Sequence, residues 1–396
     1  MTSKKRTVCL VAGTRPEVIK LAPVFFALQR SDELQPYWLS SGQHRQMLDQ
    51  AMASFGIRAD VDLGLMRPSQ TPAELTARAI TRVGRVLSKL RPSAVIVQGD
   101  TSTALAAALA AFYQKIPIGH VEAGLRTHDM LSPWPEEMNR RLIAPLCHWN
   151  FAPTPQAVTN LTSERIPAHR CHITGNTVID ALYWMRDKVA ADPEIESSRA
   201  LRLGMSTSFV QTFIEQTERR WILLTLHRRE SFGDGMVEIC NGIRRVLERN
   251  PDCGVVCPMH LNPMARAPVK EILGSSSQIA LIEPVNYSDF VWLMDKAYFI
   301  VSDSGGVQEE APSLGKPVLV VRATTERPEG IDAGTCRLVG AEQDKIVLEA
   351  ELLLQDANSY RIRSYLNNPY GDGGASEKII KVIARDLAAY NHQVGD

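Results

Sequence analysis

The sequence predicts an α/β protein made of two doubly wound, Rossmann-like parallel-sheet domains. Three observations predict it. Short apolar runs rich in β-formers alternate with amphipathic stretches along the chain, which is the rhythm of repeated βαβ units. Runs such as Ala94-Val95-Ile96-Val97 are apolar at every position, as suits strands covered by helices on both faces of a parallel sheet. The rhythm breaks once, at 189–208, where Asp192-Pro193-Glu194-Ile195-Glu196-Ser197-Ser198 is polar and charged, and then restarts. The expected domains are 1–188 and 205–374. A last helical stretch begins at Ala375, after Gly371-Asp372-Gly373-Gly374. That flexible approach lets 375–396 cross back to the first domain.

The elements follow in order. The first apolar run, 8–12, stops at Gly13, and a helix over 17–30 follows Pro16, a residue suited to a first helical position. Strands are expected at 37–41, 94–98, 118–122, 149–152 and 171–174. The helix at 74–90 carries Leu75, Ala79, Val83, Val86 and Leu90 on one stripe, the pattern of a half-buried helix. The alanine-rich stretch 102–114 reads as a buried helix. In the second series, strands are expected at 221–226, 254–258, 279–282, 298–302 and 317–321, with helices at 236–249 and 343–354.

Composition narrows the function. The chain has 396 residues, 44% hydrophobic and 22% charged, with 44 Lys plus Arg against 44 Asp plus Glu. The balance excludes a chain-wide basic footprint for nucleic acid or membrane, though not a local anion site. No apolar run approaches the roughly 20 residues of a membrane span. The charged start Met1-Thr2-Ser3-Lys4-Lys5-Arg6 precedes an apolar run too short for a signal peptide, so a cytoplasmic protein is expected. The seven cysteines form no C-x-x-C pair, which points to reduced, mostly buried thiols. Cys253 and Cys257 fall on one face of one strand.

Ligands of open parallel sheets gather at the carboxyl ends of strands. After 8–12 comes Gly13-Thr14-Arg15-Pro16-Glu17, with Lys20 one helical turn on. This is either an ordinary strand–helix turn or a phosphate site, with Arg15 and Lys20 supplying charge beside free N–H groups. After 94–98, Asp100 either caps the next helix or serves as an acid. Glu122 ends a buried strand, where no cap is required. Pro133-Trp134-Pro135-Glu136-Glu137 opens a helix at Pro135, so Glu136 is either a favourable charge at a helix start or a third acid. Asp100, Glu122 and Glu136 then converge on one rim. Three acids beside a phosphate site fit proton transfer on a phosphorylated substrate, or ligation of a cation. No histidine-rich ligand set accompanies them, and no metal is expected.

In the second half, His227-Arg228-Arg229 follows a strand, as a diphosphate clamp or as a surface turn. His260 follows the next strand. The sharpest pattern is Val301-Ser302-Asp303-Ser304-Gly305-Gly306-Val307-Gln308-Glu309-Glu310. Ser304, Gly305 and Gly306 open a helix whose backbone N–H groups can face a phosphate. Glu310 is placed to grip ribose hydroxyls, and Arg327 is a further anionic anchor. The pattern is neither a Walker motif nor G-x-G-x-x-G, so neither ATP nor a dinucleotide is expected.

These residues, in this order, resemble the non-hydrolysing UDP-N-acetylglucosamine 2-epimerases. The resemblance runs from Gly13-Thr14-Arg15-Pro16-Glu17 to Asn368-Pro369-Tyr370-Gly371-Asp372-Gly373, nearly the whole chain, and is densest at 119–126, 132–140, 175–182 and 302–316. It implies a GT-B fold with UDP-sugar in the interdomain cleft and the C-terminal helix returned to domain one. It implies that Asp100, Glu122 and Glu136 are the catalytic acids, with His227 near the diphosphate. It also implies UDP contacts from Arg15, Lys20, Phe290, Ser304, Gly305, Gly306, Glu310 and Arg327. Some members bind a second UDP-N-acetylglucosamine that activates turnover, and Gln43, Gln46, Arg228 and His260 fall on matching positions. The implied reaction is reversible epimerisation at C2 of UDP-N-acetylglucosamine, without a cofactor, in a homodimer that supplies bacterial polysaccharide synthesis. The sequence departs from the pattern at Leu226, Val285 and Ala323, and at Ser69, where activated members carry an arginine. The competing readings are a GT-B glycosyltransferase, a hydrolysing epimerase and a nucleotide-sugar sensor.

Overall fold

The apolar runs become strands of two parallel sheets in the computed structural model, which describes residues 5–42, 45–67, 70–228, 232–325, 327–365 and 368–393, without the side chains of 45–46 and 390–393. The first sheet contains β1 (Arg6–Ala12), β2 (Leu34–Ser40), β3 (Val61–Asp62), β4 (Ala94–Gln98), β5 (Ile118–Val121), β6 (Trp149–Ala152) and β7 (Cys171–Ile173). The second contains β8 (Arg220–Thr225), β9 (Cys253–Pro258), β10 (Ile279–Ile282), β11 (Ile300–Ser302), β12 (Val318–Val320) and β13 (Cys336–Leu338). Their orders are β3-β2-β1-β4-β5-β6-β7 and β10-β9-β8-β11-β12-β13. In each sheet the chain winds outward one way and then crosses to wind the other. The crossover falls between β1 and β4 in the first sheet and between β8 and β11 in the second. Loops diverge there, which makes the carboxyl ends of those strands the natural ligand crevices.

The cores follow from two-sided burial. Cys9, Val11, Val95 and Val97 pack against Ala104, Ala107, Ala108 and Ala111 of the helix Ser102–Tyr113. Alanine there lets the helix approach the sheet closely. Ile222, Leu224, Val255, Cys257, Val301 and Leu319 fill the second core with Ile239, Ile243 and Val246 of the helix Asp234–Arg249. Six of the seven free cysteines are buried, Cys171 partly so. In the helix Pro72–Leu90 the buried stripe is Leu75, Ala79, Val83 and Leu87. Leu87 joins the expected stripe, and Val86 and Leu90 are partly buried against the same core. β5 stops at Val121, one residue short of the expected strand, because Glu122 turns to φ 64°. No described helix is long and apolar enough to cross a membrane.

The chain divides into two compact units, Met1–Trp184 with Tyr370–Asp396, and Met185–Pro369. The polar stretch 189–208 belongs to the second unit, where 196–202 form a helix. The returning segment is tied to the first unit by polar groups. Asp180 accepts from the backbone N–H groups of Ala375 (3.2 Å) and Ser376 (2.8 Å), satisfying donors at the start of the helix Ala375–Gln393. Further along, the Trp149 indole donates to Asp386 at 2.7 Å, and Arg30 pairs with Glu377 at 2.6 Å.

Two glycines with positive φ separate backbone strain from crowding. Gly124 (φ 92°) would place a Cβ 2.3 Å from the carbonyl oxygen of Ala157, whereas Gly56 (φ 68°) has open space around it. Gly56→Ala is expected to cost about 1 kcal/mol, the left-handed backbone penalty alone. Gly124→Ala is expected to cost on the order of 3 kcal/mol, because the turn after β5 must also shift. Urea denaturation of the two variants checks the order.

Candidate active site

At the first crossover the loops after β1 and β4 are joined by one buried carboxylate. Glu17, 1% exposed, accepts from the N–H groups of Gly13 (2.9 Å) and Thr14 (2.7 Å) and from the Thr14 hydroxyl (2.9 Å). Its other oxygen accepts from the Thr101 hydroxyl at 2.6 Å. Burial pushes this carboxyl above its usual range, and the four donors pull it back. The β1 turn, which presents Arg15, is thereby fixed against the β4 turn, which presents Asp100. Arg15 is half-buried and makes no side-chain hydrogen bond among the described residues.

The three expected acids lie at the carboxyl ends of β4 and β5 and on the helix that follows. The helix Ser102–Tyr113 is capped by Thr101, whose hydroxyl accepts from Ala104 N–H at 3.0 Å. Asp100 is therefore not the cap. Arg140 donates to it through Nε at 2.8 Å and Nη2 at 2.7 Å, while Asn139 donates to its backbone carbonyl at 2.7 Å. Glu122 is held differently. Lys20 forms an ion pair with its Oε1, Asn176 donates to Oε1 at 3.1 Å, and Gln98 donates to Oε2. Glu136 begins the helix Glu136–Ile143, with Pro135 at the cap position rather than inside it. Its Oε2 is buried and has no hydrogen-bond partner among the described residues. Asp100 and Glu136 line one cavity of about 470 Å³ with Thr14, Arg67, Thr101 and Asn139. Glu122 is not part of that lining, although its carboxylate lies beside Gly99.

At the second crossover Asp303, fully buried, accepts from the backbone N–H groups of His227 (3.0 Å) and Arg228 (2.9 Å), and lies 3.1 Å from His227 Nδ1. The loop after β8 is thus anchored to the end of β11, and the His227 ring is oriented from behind. Gly305 and Gly306 open the helix Gly305–Glu310, with Ser304 at the cap position. The guanidinium groups of Arg228 and Arg327 each lie 3.8 Å from the point where a Cβ on Gly305 would sit. Arg327 is steadied by an ion pair to Glu309. Glu310 accepts from the Tyr287 hydroxyl at 3.2 Å, and half-buried Phe290 lies one turn along that tyrosine's helix, Tyr287–Lys296.

The remaining expected positions are scattered. His260, exposed after β9, accepts from Asn262 N–H at 3.1 Å through Nδ1. Gln43 and Ser69 lie outside the described residues, as does the side chain of Gln46. Among the described residues, no group of three or more His, Cys, Asp or Glu is placed to hold a metal ion.

With this geometry in place, known proteins supply the comparison. The family model for UDP-N-acetylglucosamine 2-epimerase matches residues 26–384. The UDP-N-acetylglucosamine 2-epimerase of Yersinia pestis is 47% identical over 387 residues, 98% of this chain and 99% of that protein. The chain belongs to the UDP-N-acetylglucosamine 2-epimerase family. The enzyme of that name from Escherichia coli K12 is 48% identical over 376 residues, 95% of this chain and 98% of that protein. The crystal structure of the Neisseria meningitidis epimerase bound to UDP-GlcNAc is 45% identical, with TM-score 0.84, covering 96% of this chain and all of that one. That of the Methanocaldococcus jannaschii epimerase with UDP-GlcNAc and UDP is 32% identical, with TM-score 0.76, covering 96% of this chain and 99% of that one. The fold class expected from the sequence, two doubly wound α/β domains of GT-B type, is thus the fold found.

Several groups around the epimerase-family residues had no expected role. Arg140, Gln98, Asn176 and Asp303 all contact an expected site residue, from positions 24 to 76 residues away in sequence. Asp303 alone carried a signal, as an acid ending a buried strand. His120 is another: fully buried on β5, it donates from Nε2 to Gly99 carbonyl oxygen at 2.7 Å. Burial pushes the imidazole down to about 4, with the positive Arg126 and Arg140 adding to the shift. The unfolded chain therefore binds one more proton than the folded chain between about pH 6.5 and 4. This contribution is present above pH 6.5 and lost as pH falls through that window, about 3 kcal/mol in all. His120→Gln is expected to flatten the pH dependence of stability there by one proton, measured by urea denaturation at stepped pH.

Proposed function

We propose that the chain interconverts UDP-N-acetylglucosamine and UDP-N-acetylmannosamine by non-hydrolysing epimerisation at C2. The observation that carries this reading is identity near 47% to named epimerases along almost the whole chain, with carboxylates at the crossover of the first sheet. The UDP-GlcNAc and UDP bound by the solved relatives are taken as this chain's own ligands.

The chemistry follows from the substrate. The C2 proton is not adjacent to a carbonyl and is weakly acidic. Cleavage of the anomeric C–O bond builds oxocarbenium character, which acidifies that proton. UDP then departs by anti elimination and leaves 2-acetamidoglucal. Return of a proton to the opposite face of C2, and of UDP to C1, inverts the centre. Two faces call for two proton carriers. Asp100, Glu122 and Glu136 serve the proton transfers, in an assignment left to mutants. The leaving diphosphate is stabilised by His227, Arg327 and the backbone N–H groups at Ser304, Gly305 and Gly306, and Arg15 and Lys20 are proposed as further UDP contacts. Phe290 and Glu310 take uracil and ribose. No redox cofactor enters. Arg228 and His260, with Gln43 and Gln46, are proposed for an activating second sugar nucleotide. The enzyme is read as a cytoplasmic homodimer that supplies N-acetylmannosamine units to a bacterial surface polysaccharide.

Incubation with UDP-N-acetylglucosamine alone in heavy water is expected to yield UDP-N-acetylmannosamine carrying deuterium at C2. Free N-acetylmannosamine as main product would mark a hydrolysing enzyme, and turnover only with an added acceptor would mark a glycosyltransferase. Protium fully retained at C2 would overturn the elimination route. Asp100→Asn, Glu122→Gln and Glu136→Gln are each expected to slow turnover by roughly 10²–10⁴-fold with a smaller change in UDP affinity, measured by calorimetry.

A further inference from the structure

We propose that Asn176 is a positioning residue for Glu122, its side-chain amide setting the direction in which that carboxylate meets the sugar. The proposal rests on the epimerase reading of Glu122 above. Asn176 is 2% exposed and stands immediately before the helix Thr177–Ala190. Its Oδ1 accepts from Val178 N–H at 3.1 Å, and its Nδ2 donates to Glu122 Oε1 at 3.1 Å. The first contact settles the second: with the oxygen committed to a backbone N–H, the NH₂ group faces the carboxylate. Asn176's own N–H donates at 2.7 Å to the carbonyl of Tyr370, where the chain re-enters the first unit. The residue is therefore pinned by backbone bonds on two sides, and its amide is a rigid donor.

The other partner of Oε1 is different in kind. Lys20 reaches Glu122 on a flexible four-carbon stem, and its ammonium is a point charge that can turn to a phosphate. Lys20 is also an expected UDP contact. Once a diphosphate draws the ammonium away, Oε1 keeps a single described partner, Asn176, while Gln98 holds Oε2. Two amides then fix the plane of the carboxylate throughout the reaction. Losing one hydrogen bond to a charged group corresponds to roughly a 10- to 100-fold loss of rate.

Asn176→Asp is the test. It keeps an oxygen for Val178 N–H and the backbone bond to Tyr370, and aspartate serves a helix start as well as asparagine does. The donor facing Glu122 becomes an acceptor, and a negative charge is set beside that carboxylate; Asn176→Ser removes the donor without adding the charge. The expected result is a roughly 10- to 100-fold lower kcat, with KM and UDP affinity by calorimetry close to the parent's and a melting temperature lowered by the added buried charge. Asn176→Ser, which also retains a capping oxygen, is expected to be similarly slow, and it stands in should the aspartate variant fold poorly. In the Glu122→Gln background Asn176→Asp is expected to add no further loss, because the two groups act as one unit. A wild-type kcat in Asn176→Asp, beside a slow Glu122→Gln, would overturn the positioning role alone, as would full additivity in the double variant. A wild-type rate in Glu122→Gln would instead sink the reading of Glu122 itself, and this proposal with it.

Discussion

A buried carboxylate stands at the crossover of each sheet, and the candidate chemistry hangs on those two groups. Where a doubly wound sheet reverses direction, adjacent strands send their loops to opposite sides, so nothing in the backbone ladder holds those loops together. Glu17 does so in the first unit, accepting from the β1 turn and from Thr101 of the β4 turn. Asp303 does so in the second, reaching from the end of β11 to two N–H groups after β8. Burying a carboxylate is expensive, and several well-formed hydrogen bonds are what make it tolerable. The reward is mechanical: the residues these loops present, Arg15 and Asp100 in one unit and His227 and Arg228 in the other, are held in mutual register.

The three acids are placed in three electrostatic settings. Asp100 faces a guanidinium, Glu122 an ammonium and two amides, and Glu136 leaves one buried oxygen without a partner among the described residues. The proposed epimerisation calls for separately placed proton carriers, and these carboxylates are each held by different partners.

Much of the fold was legible because burial on both faces leaves a simple trace in sequence. β4, Ala94–Gln98, occupies its expected span to the residue, and so do β6 and β10. β3 and β13 escaped notice, being strands of two and three residues at sheet edges whose sequences, Val61-Asp62 and Cys336-Arg337-Leu338, carry no apolar run. The family and its reaction class were legible as well, from ordered motifs. The wiring among the site residues was not. Lys20 reads as a phosphate ligand, yet it pairs with Glu122, 102 positions away. Asp100 reads equally as a cap or an acid, and it is the neighbouring Thr101 that takes the cap while the distant Arg140 holds the carboxylate. Such pairings are made by strand order, which local pattern does not encode.

The first unit is discontinuous in sequence, and this imposes an order on its assembly. The second unit, Met185–Pro369, is one uninterrupted stretch, whereas the first requires the segment from Tyr370 onward. During synthesis the acid-bearing unit must therefore wait, with the Asp180 carboxylate, the Trp149 indole and the backbone N–H of Asn176 lacking their partners, until the intervening unit has emerged. The unit that bears the three acids is the last to close, and a ribosome that stalls just past Pro369 would leave a finished second unit tethered to an unfinished first one.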